Sequence, residues 1–225
     1  MRTILQQISI EVSPQVYQKD PYSSDLGKSI LREGNLLISE IGLEAFTFKK
    51  LARRLSTTES SIYRYFENKH KFLLYLIDWY WGWLEYKLVI STSNISDPSE
   101  RIIKIIEVLC EPVSKDLDHN LINLQLLHAM VIEESPKAFF TKEVEIDNEN
   151  GLFTSYKKVV NRLSHAIAES APDYPYNLSL ATTLIETINQ QQFLGSHFPK
   201  MTSVKKSNDL LFNFIEDMVS KTLKA

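Results

Sequence analysis

The chemically most informative stretch of this chain runs from Thr47 to Lys69 and reads TFKKLARRLSTTESSIYRYFENK. Hydroxyl groups, tyrosines and basic side chains follow one another closely within it. Such groups donate hydrogen bonds and carry positive charge, which suits the phosphates and base edges of a nucleic acid. The stretch is therefore the first candidate for a binding surface.

Two short helices with a tight corner between them account for the spacing of these residues. The first helix has an apolar face whose members are three and four residues apart: Phe48, Leu51, Ala52 and Leu55. In the second helix, Ile62 and Phe66 share a face, which leaves the polar side chains pointing outward, namely Ser60, Ser61, Tyr63 and Arg64. This arrangement predicts a helix-turn-helix whose second helix presents hydrogen-bonding groups.

Several polar positions suit contact with phosphates. Thr47 and Thr58 stand where the helices begin, and the backbone N–H groups and positive dipole end found there favour an anion. Tyr63 and Tyr65 have hydroxyls that donate to phosphate oxygens, and Lys69 adds charge at the start of the next helix. Such contacts fix the position of a protein on DNA without reading the sequence.

Base reading and long-range attraction are expected from two further groups. Ser60, Ser61 and Arg64 are the candidates for contact with base edges, and an arginine pairs bidentately with guanine. Attraction that weakens as salt rises is expected from the cations of the first helix, which are Lys49, Lys50, Arg53 and Arg54.

The distribution of charge supports a nucleic-acid partner better than the total does. The 225 residues carry a net charge of −3. Residues 22–71 contain nine Lys or Arg against six acids, whereas residues 72–225 contain fourteen against twenty. A basic N-terminal part on an acidic body fits a DNA-reading module joined to a domain with another task.

Composition places the protein among globular cytoplasmic chains. Hydrophobic residues make up 44% of the sequence, which suffices for a core. The single cysteine, Cys110, excludes an intramolecular disulfide and favours a reducing compartment. The N-terminus has no apolar run of signal-peptide length, and the longest apolar stretch contains Glu85 and Lys87. We therefore expect a soluble cytoplasmic protein without a membrane span.

Helical periodicity extends over most of the chain, so the predicted fold class is all-α. Ser24 or Asp25 is expected to cap the first helix, which ends at Gly42. An acidic segment, KEVEIDNENG, is expected to be a solvated connection. Beyond the two short helices, further helices are predicted near residues 68–90, 102–109, 120–134, around 139, 152–170, 178–196 and 203–223.

The helix-turn-helix resembles that of the TetR/AcrR family of bacterial transcriptional regulators. The pattern is T-x-x-x-[IL]-A, a short turn, [ST]-x-x-x-[LI]-Y-x-[HY]-F and x-x-K-x-x-[LF]. The matching positions are Thr47, Leu51, Ala52, Thr58, Ile62, Tyr63, Tyr65, Phe66, Lys69 and Phe72. The chain departs from the family in its turn, where Ser56-Thr57 replaces glycine and an apolar residue, and in Glu59, which would face phosphates.

The resemblance implies the organisation of the whole chain. Residues 1–21 would form an extended arm, 22–71 a three-helix DNA-binding domain, and 72–225 a helical effector-binding and dimerisation domain. It further implies a homodimer on a palindromic double-stranded operator, usually a repressor, whose DNA binding a small-molecule effector modulates. In the family the last two helices form the dimer interface, and the candidates here are Leu184, Ile188, Leu211, Phe214 and Met218. These residues could equally be ordinary core.

An effector pocket is the least specific of these expectations. An apolar or aromatic ligand would suit the side chains of Trp79, Trp83, Tyr86, Cys110, His128 and Met130. An aromatic stripe at helical spacing is, however, more often core than pocket. The effector cannot be read from the residues themselves.

Two other classes of function compete with a regulator. An enzyme is not expected, because no nucleophile elbow, phosphate-binding glycine loop or HExxH motif occurs, and no cofactor is predicted. The histidines show no metal-ligand spacing with one another or with Cys110; they are His70, His119, His128, His165 and His197. The stronger alternative is a TetR-like helical protein without specific DNA binding that acts as a partner- or lipid-binding module. Glu59 and the weak basic bias are its support.

Overall fold

The computed structural model describes residues 10–111, 113 and 122–223. The regular elements among these residues are helices, which agrees with the predicted all-α class. Two short 3-10 helices, Pro14–Val16 and Pro21–Ser23, precede the α-helices. The α-helices are α1 (Asp25–Ala45), α2 (Phe48–Arg54), α3 (Glu59–Tyr63), α4 (Lys69–Thr92), α5 (Pro98–Cys110), α6 (Leu124–Phe139), α7 (Val144–Glu149), α8 (Thr154–Ser170), α9 (Asn177–His197) and α10 (Asn208–Leu223).

The chain divides into two compact units. The first comprises Met1–Trp83 and Val113–Ser155, and the second comprises Leu84–Pro112 and Tyr156–Ala225. This is a division by packing, whereas the predicted domains are a division by function, so the predicted bounds stay a prediction. No helix of the described residues has the length and apolar character needed to cross a lipid bilayer.

An aromatic cluster around Phe72 forms the core of the first unit near its N-terminal helices. The ring of Phe72 stacks on Phe46 with centroids 5.5 Å apart, and Phe66 meets it edge-on at 5.0 Å. All three rings are fully buried. Gly34 of α1 faces this cluster, and a Cβ at that position would lie 2.3 Å from Phe72 Cζ. The cluster therefore fixes the start of α4 against α1 and the two short helices.

The N-terminal part of α4 is buried on every side. Each residue from Phe72 to Trp81 has little exposure, in agreement with the apolar sequence predicted for an enclosed helix. Asp78 is the buried acid within this stretch, and its carboxylate accepts hydrogen bonds from the backbone N–H groups of Ser13 and Ser155. These hydrogen bonds offset the free-energy cost of removing the carboxylate from water.

The segment before α1 packs against the first unit rather than forming an extended arm. Residues 1–9 of the predicted arm lie outside the described residues. From residue 10 onward Ile10, Val12 and Val16 are buried. The two 3-10 helices begin at prolines whose preceding residues, Ser13 and Asp20, accept hydrogen bonds from the backbone two residues on.

In the second unit, α5 packs against α9 and α10, which also pack against each other. Its core consists of the apolar faces of these helices and of α8. Two ion pairs link residues at the surface of this unit. Arg162 Nη2 lies 2.6 Å from Glu85 Oε1, and Lys87 Nζ lies 2.6 Å from Glu111 Oε2.

Three predicted element bounds were wrong. The two helices expected near 120–134 and around 139 are one helix, α6, which contains Pro136 one turn before its end; residues 120 and 121 lie outside the described residues. A single missing N–H near a helix end leaves the preceding turns intact. The last helix starts at Asn208 rather than at 203, since Lys205 takes a φ of 55°. The acidic segment contains the helix α7, considered below.

Candidate nucleic-acid interface

The turn between α2 and α3 closes with the hydrogen bonds of a Schellman motif. Thr47 caps α2 through a hydrogen bond that its Oγ1 accepts from Lys50 N at 3.2 Å. At the other end Ser56 has a φ of 51°, Thr57 N donates to Ala52 O at 2.9 Å, and Ser56 N donates to Arg53 O at 3.2 Å. Ser56 thus adopts the left-handed conformation for which a glycine is usual at this position of the family pattern. The chain therefore differs from the pattern in residue type, while the backbone conformation of the turn is the one that a glycine would adopt.

Thr58 caps the recognition helix α3, as predicted from its position. Its Oγ1 accepts from Ser61 N at 3.2 Å and lies 2.9 Å from the hydroxyls of both Ser60 and Ser61. Ser60 is exposed, whereas Ser61 is half-buried. The cap orders the start of α3 and leaves the Ser60 hydroxyl on the surface.

Tyr63 and Arg64 form the most exposed part of this helix. Tyr63 is 46% exposed, and its ring meets the buried ring of Phe48 edge-on at 5.1 Å. Neither the Tyr63 hydroxyl nor the exposed Arg64 guanidinium forms a hydrogen bond with another described residue. The contact with Phe48 therefore orients the tyrosine while its hydroxyl remains available to a ligand.

Tyr65 is placed differently from its neighbours. It is only 3% exposed, its hydroxyl lies 2.6 Å from Ser24 Oγ, and Lys19 Nζ donates to it at 3.4 Å. Its carbonyl accepts from Gln18 N at 2.8 Å. These contacts turn the side chain inward, because the residue faces the segment before α1. The structure gives Tyr65 a role within the fold, in place of the exposed hydroxyl that the sequence led us to expect.

The basic residues around α2 fall into two groups. Lys49, Lys50 and Arg53 are exposed, and Lys50 Nζ donates to Ala45 O at 2.8 Å. Arg54, by contrast, is bound by two acids of α1: its Nε lies 2.8 Å from Glu33 Oε2 and its Nη2 lies 2.9 Å from Glu40 Oε1. Hydrogen bonds from Arg54 lower the pKa of both carboxyl groups. Arg54 is therefore a link between helices, and its expected part in long-range attraction is corrected.

Two other charges lie at the edge of this surface. Lys69, exposed at the start of α4, donates from Nζ to Leu43 O at 3.3 Å. Glu59 is half-exposed in the first turn of α3 and forms no ion pair with a described residue. An acid at a helix N-terminus is favoured by the dipole, which gives Glu59 a local role that does not require a partner.

An ion-pair cluster at the start of α4 was not predicted from the sequence. Asp147 of α7 is 2% exposed, and its two carboxylate oxygens contact His70 Nε2 at 3.0 Å and Lys71 Nζ at 2.8 Å. Burial of this carboxyl opposes ionisation, but the hydrogen bonds from Lys71 and His70 outweigh it and lower its pKa. The acidic segment is therefore a helix anchored to α4, and not the solvated connection that we expected.

The same cluster contains the donor atoms of a possible cation site. Ligand atoms of His70, Glu143 and Asp147 lie within 4.8 Å of one another. The acids are more than seventy residues from the histidine, so a search for local spacing could not find the group. The Lys71 ammonium already occupies one oxygen of Asp147, so the described contacts are those of an ion pair. His119 lies outside the described residues.

The predicted effector residues do not fall in one unit. Trp79, Trp83, His128 and Met130 belong to the first unit, whereas Tyr86 and Cys110 belong to the second. In the first unit, Tyr80 is a further member of this aromatic group: its hydroxyl lies 2.7 Å from His128 Nδ1, and its ring is tilted against Trp83 at 5.9 Å. In the second, burial raises the pKa of the Cys110 thiol to about 12. A pocket formed by these residues stays a prediction.

The predicted dimer residues are of two kinds. Leu184, Ile188 and Leu211 are 0%, 2% and 1% exposed within one chain, so they pack in the core of the second unit. Phe214 is 39% exposed and Met218 is half-buried. The sequence could not separate the two kinds, because both lie at helical spacing. Exposed apolar side chains of the second unit that were not predicted for this interface include Tyr176, Leu178, Phe198 and Met201.

Comparison with known proteins gives a match over the helix-turn-helix. Residues 30–76 match the family described as bacterial regulatory proteins, tetR family. Comparison with curated protein sequences yields no match.

A solved structure supports the fold over most of the chain. The crystal structure of AibR in complex with isovaleryl coenzyme A and operator DNA is similar with a TM-score of 0.59 and 16% identity, over 87% of this chain and 97% of that one. The structure of apo AibR gives a TM-score of 0.49 at 16% identity, over 86% and 96%.

The matched segment contains α2, α3 and the Phe72 core that positions them. This part of the chain is thus similar to the tetR family of bacterial regulatory proteins, as its helix-turn-helix motif predicted.

Proposed function

We propose that the protein is a homodimeric repressor that binds a palindromic double-stranded operator through α3 and releases it when a small-molecule effector binds. The observation that carries this proposal is the exposed face of α3. Ser60, Tyr63 and Arg64 present a hydroxyl, a phenol and a guanidinium on an element that the buried aromatic cluster holds in place.

The roles of the individual residues follow from their exposure. Arg64 is assigned to a guanine edge, with Ser60 and Ser61 beside it, and Tyr63 to a phosphate. The cations of α2 and Lys69 supply attraction to the backbone. Thr47 and Thr58 cap their helices and keep backbone N–H groups directed at the DNA. Tyr65 acts through position, because its hydroxyl holds the segment before α1 against the end of α3.

A dimer supplies the second reading head for a palindrome. The candidate interface is an apolar surface on the last two helices of the second unit, α9 and α10. Its exposed members are Leu178, Leu210 and Phe214, and Met218 is half-buried beside them. Their exposure within one chain is the observation that supports a partner copy, since isolated apolar side chains of this size gain by burial.

The effector is proposed from the family and from a structural relative. AibR has been crystallised with isovaleryl coenzyme A and operator DNA. For this chain we carry over only the general arrangement, a small molecule bound outside the helix-turn-helix that changes the affinity for DNA. Such an effector must bind the DNA-free conformation more tightly than the DNA-bound one.

The competing function is a partner-binding module without specific DNA binding. Glu59 favours it, because an acid on the first turn of α3 without a cationic partner among the described residues repels phosphates. The two functions differ in how DNA affinity depends on sequence and salt.

Binding of the purified full-length protein to DNA from upstream of its own gene tests the proposal. Fluorescence anisotropy is measured across a salt series with unrelated competitor DNA present. A regulator binds this fragment saturably at low concentration, and competitor fails to displace it. Weak binding to every fragment that vanishes with salt would contradict the proposal and favour the partner-binding module, because only non-specific attraction then remains.

A further inference from the structure

The second unit contains an open groove that is separate from the helix-turn-helix. It has a volume of about 650 Å³ and lies between α5, the end of α8 and α10. Its lining residues are Ile95, Ser99, Glu100, Ile102, Ile103, Lys104, Glu107, Ser170, Glu216, Val219, Ser220 and Leu223. A volume of this size is that of a small-molecule site.

The floor of the groove is apolar and well packed. Ile102 and Val219 are 2% and 4% exposed, so they belong to the core on which the groove rests. Ile103 and Leu223 are half-buried and leave part of their surface open. A ligand that covers these side chains gains from the burial of apolar surface.

Hydrogen bonds hold the ends of the groove in shape. The hydroxyls of Ser99 and Ser170 lie 2.8 Å apart and join α5 to the end of α8. The loop that carries Ile95 is held by Arg101, whose guanidinium donates to Ile95 O at 3.3 Å and to Ser96 O at 3.2 Å. The groove is therefore largely formed before any ligand arrives.

The charges on the rim are predominantly negative. Lys104 is paired with Glu107 at 2.8 Å, and Arg101, which lies next to the rim, is paired with Glu169 at 2.6 Å. Glu100 and Glu216 form no ion pair with a described residue. Two carboxylates without a cationic partner among the described residues line a groove with an apolar floor, which favours a ligand that combines a positive charge with an apolar body.

We propose that this groove binds a small organic monocation with an apolar body, held by Glu100 and Glu216 over Ile102 and Val219. The binding itself requires no DNA. That such a cation acts as the effector of DNA release rests on the function proposed above.

The test compares two ions of the same shape and opposite charge. Tetraphenylphosphonium and tetraphenylborate bury similar apolar surface, so a difference in affinity reports the charge of the site. Isothermal titration calorimetry of the full-length protein is expected to give at least tenfold tighter binding of the phosphonium. Raised salt is expected to narrow the difference.

Two variants locate the site within the molecule. Glu100→Gln combined with Glu216→Gln is expected to weaken phosphonium binding about tenfold, since each carboxylate contributes a partly screened attraction. Ser220→Trp is expected to weaken binding of both ions because the indole fills the groove. The matched control is Glu145→Gln with Glu149→Gln, two exposed acids of α7 outside the groove, which changes net charge equally.

Equal affinity for the two ions, no phosphonium binding, or equal losses in the groove variant and its control would each overturn the proposal. If the protein without any added ion showed no specific DNA binding, the proposed function would be contradicted instead. The measured affinity of the groove for the phosphonium would still support the cation site.

Discussion

The recognition surface of the first unit and the groove of the second differ in which charges they leave unpaired. On α2 and α3 the exposed cations outnumber the acids. Arg54 is the basic residue of these helices that forms ion pairs with acids of α1, namely Glu33 and Glu40. In the groove the cations are paired and two carboxylates remain. The sign of the unpaired charges at each surface favours a partner of the opposite charge.

The two surfaces also differ in how they are supported. The recognition surface lies on two helices of seven and five residues, which are too short to persist alone. Caps, a Schellman turn and the Phe72 cluster hold them. The groove lies on longer helices that form the core of their own unit. Recognition is therefore expected to respond more strongly to changes in distant packing.

The largest expected effect separates the two surfaces directly. Replacing both Tyr63 and Arg64 by alanine removes a phosphate contact and a base contact, which together contribute about 3 kcal/mol, or at least a hundredfold in specific DNA affinity. Anisotropy with the upstream fragment measures the loss. Phosphonium binding should not change, and Arg32→Ala, an exposed arginine of α1, is the control. If the double variant bound the DNA fragment as tightly as the wild type does, the assignment of α3 as the DNA-reading helix would be wrong.

Overpacking of the Phe72 cluster tests the support of the recognition surface. Gly34→Ala places a methyl group 2.3 Å from Phe72 Cζ, and the buried ring cannot move without displacing Phe46 and Phe66. We expect a loss of about 1–3 kcal/mol in the free energy of unfolding, measured by urea denaturation, and weaker DNA binding. Gly42→Ala provides a contrast without a steric clash, although its φ of 76° strains an alanine. If Gly34→Ala left the free energy of unfolding unchanged, the Phe72 ring would be able to shift at little cost, and the cluster would not be the rigid support inferred here.

The anchor of α7 on α4 predicts a dependence of stability on pH. The pKa of Asp147 is lowered in the folded state, so its contribution is present above the ordinary pKa of aspartate, about 3.9, and is lost as pH falls through the lowered value. Asp147→Asn should therefore destabilise the protein by about 1–3 kcal/mol at pH 7. The difference from wild type should shrink below pH 4. A difference that is constant from pH 7 to pH 3 would contradict the ion pair.

The smallest expected effect concerns the turn. Ser56→Gly removes the strain of a left-handed serine and is expected to raise stability by about 0.5–1 kcal/mol, less the entropy of a more flexible unfolded chain. Thermal unfolding detects a change of this size. Thr57→Gly is the control, because Thr57 does not have a positive φ. Destabilisation by Ser56→Gly would mean that the serine side chain contributes to the turn.

The parts of the structure that the sequence predicted are those fixed by local patterns. The caps at Ser24, Thr47 and Thr58 depend on neighbouring residues, and each was confirmed. The family recognition was confirmed for the same reason, since its pattern lies within a short window.

What the sequence could not predict depends on contacts between distant residues. Nothing near Tyr65 shows that its hydroxyl meets Ser24, and nothing near Asp147 shows that it meets His70 and Lys71. The apolar spacing of α9 and α10 likewise could not distinguish Leu184 in the core from Leu210 on the surface.

A double-mutant cycle between Arg64 and the operator tests most directly whether α3 reads DNA. Once footprinting has located the operator, each guanine of a half-site is replaced in turn by 7-deazaguanine, which lacks the N7 acceptor. Affinities are then measured for wild type and Arg64→Ala. We expect one guanine whose replacement weakens wild-type binding about tenfold and leaves binding by the variant unchanged. Replacements that weaken both proteins equally, or neither, would contradict it.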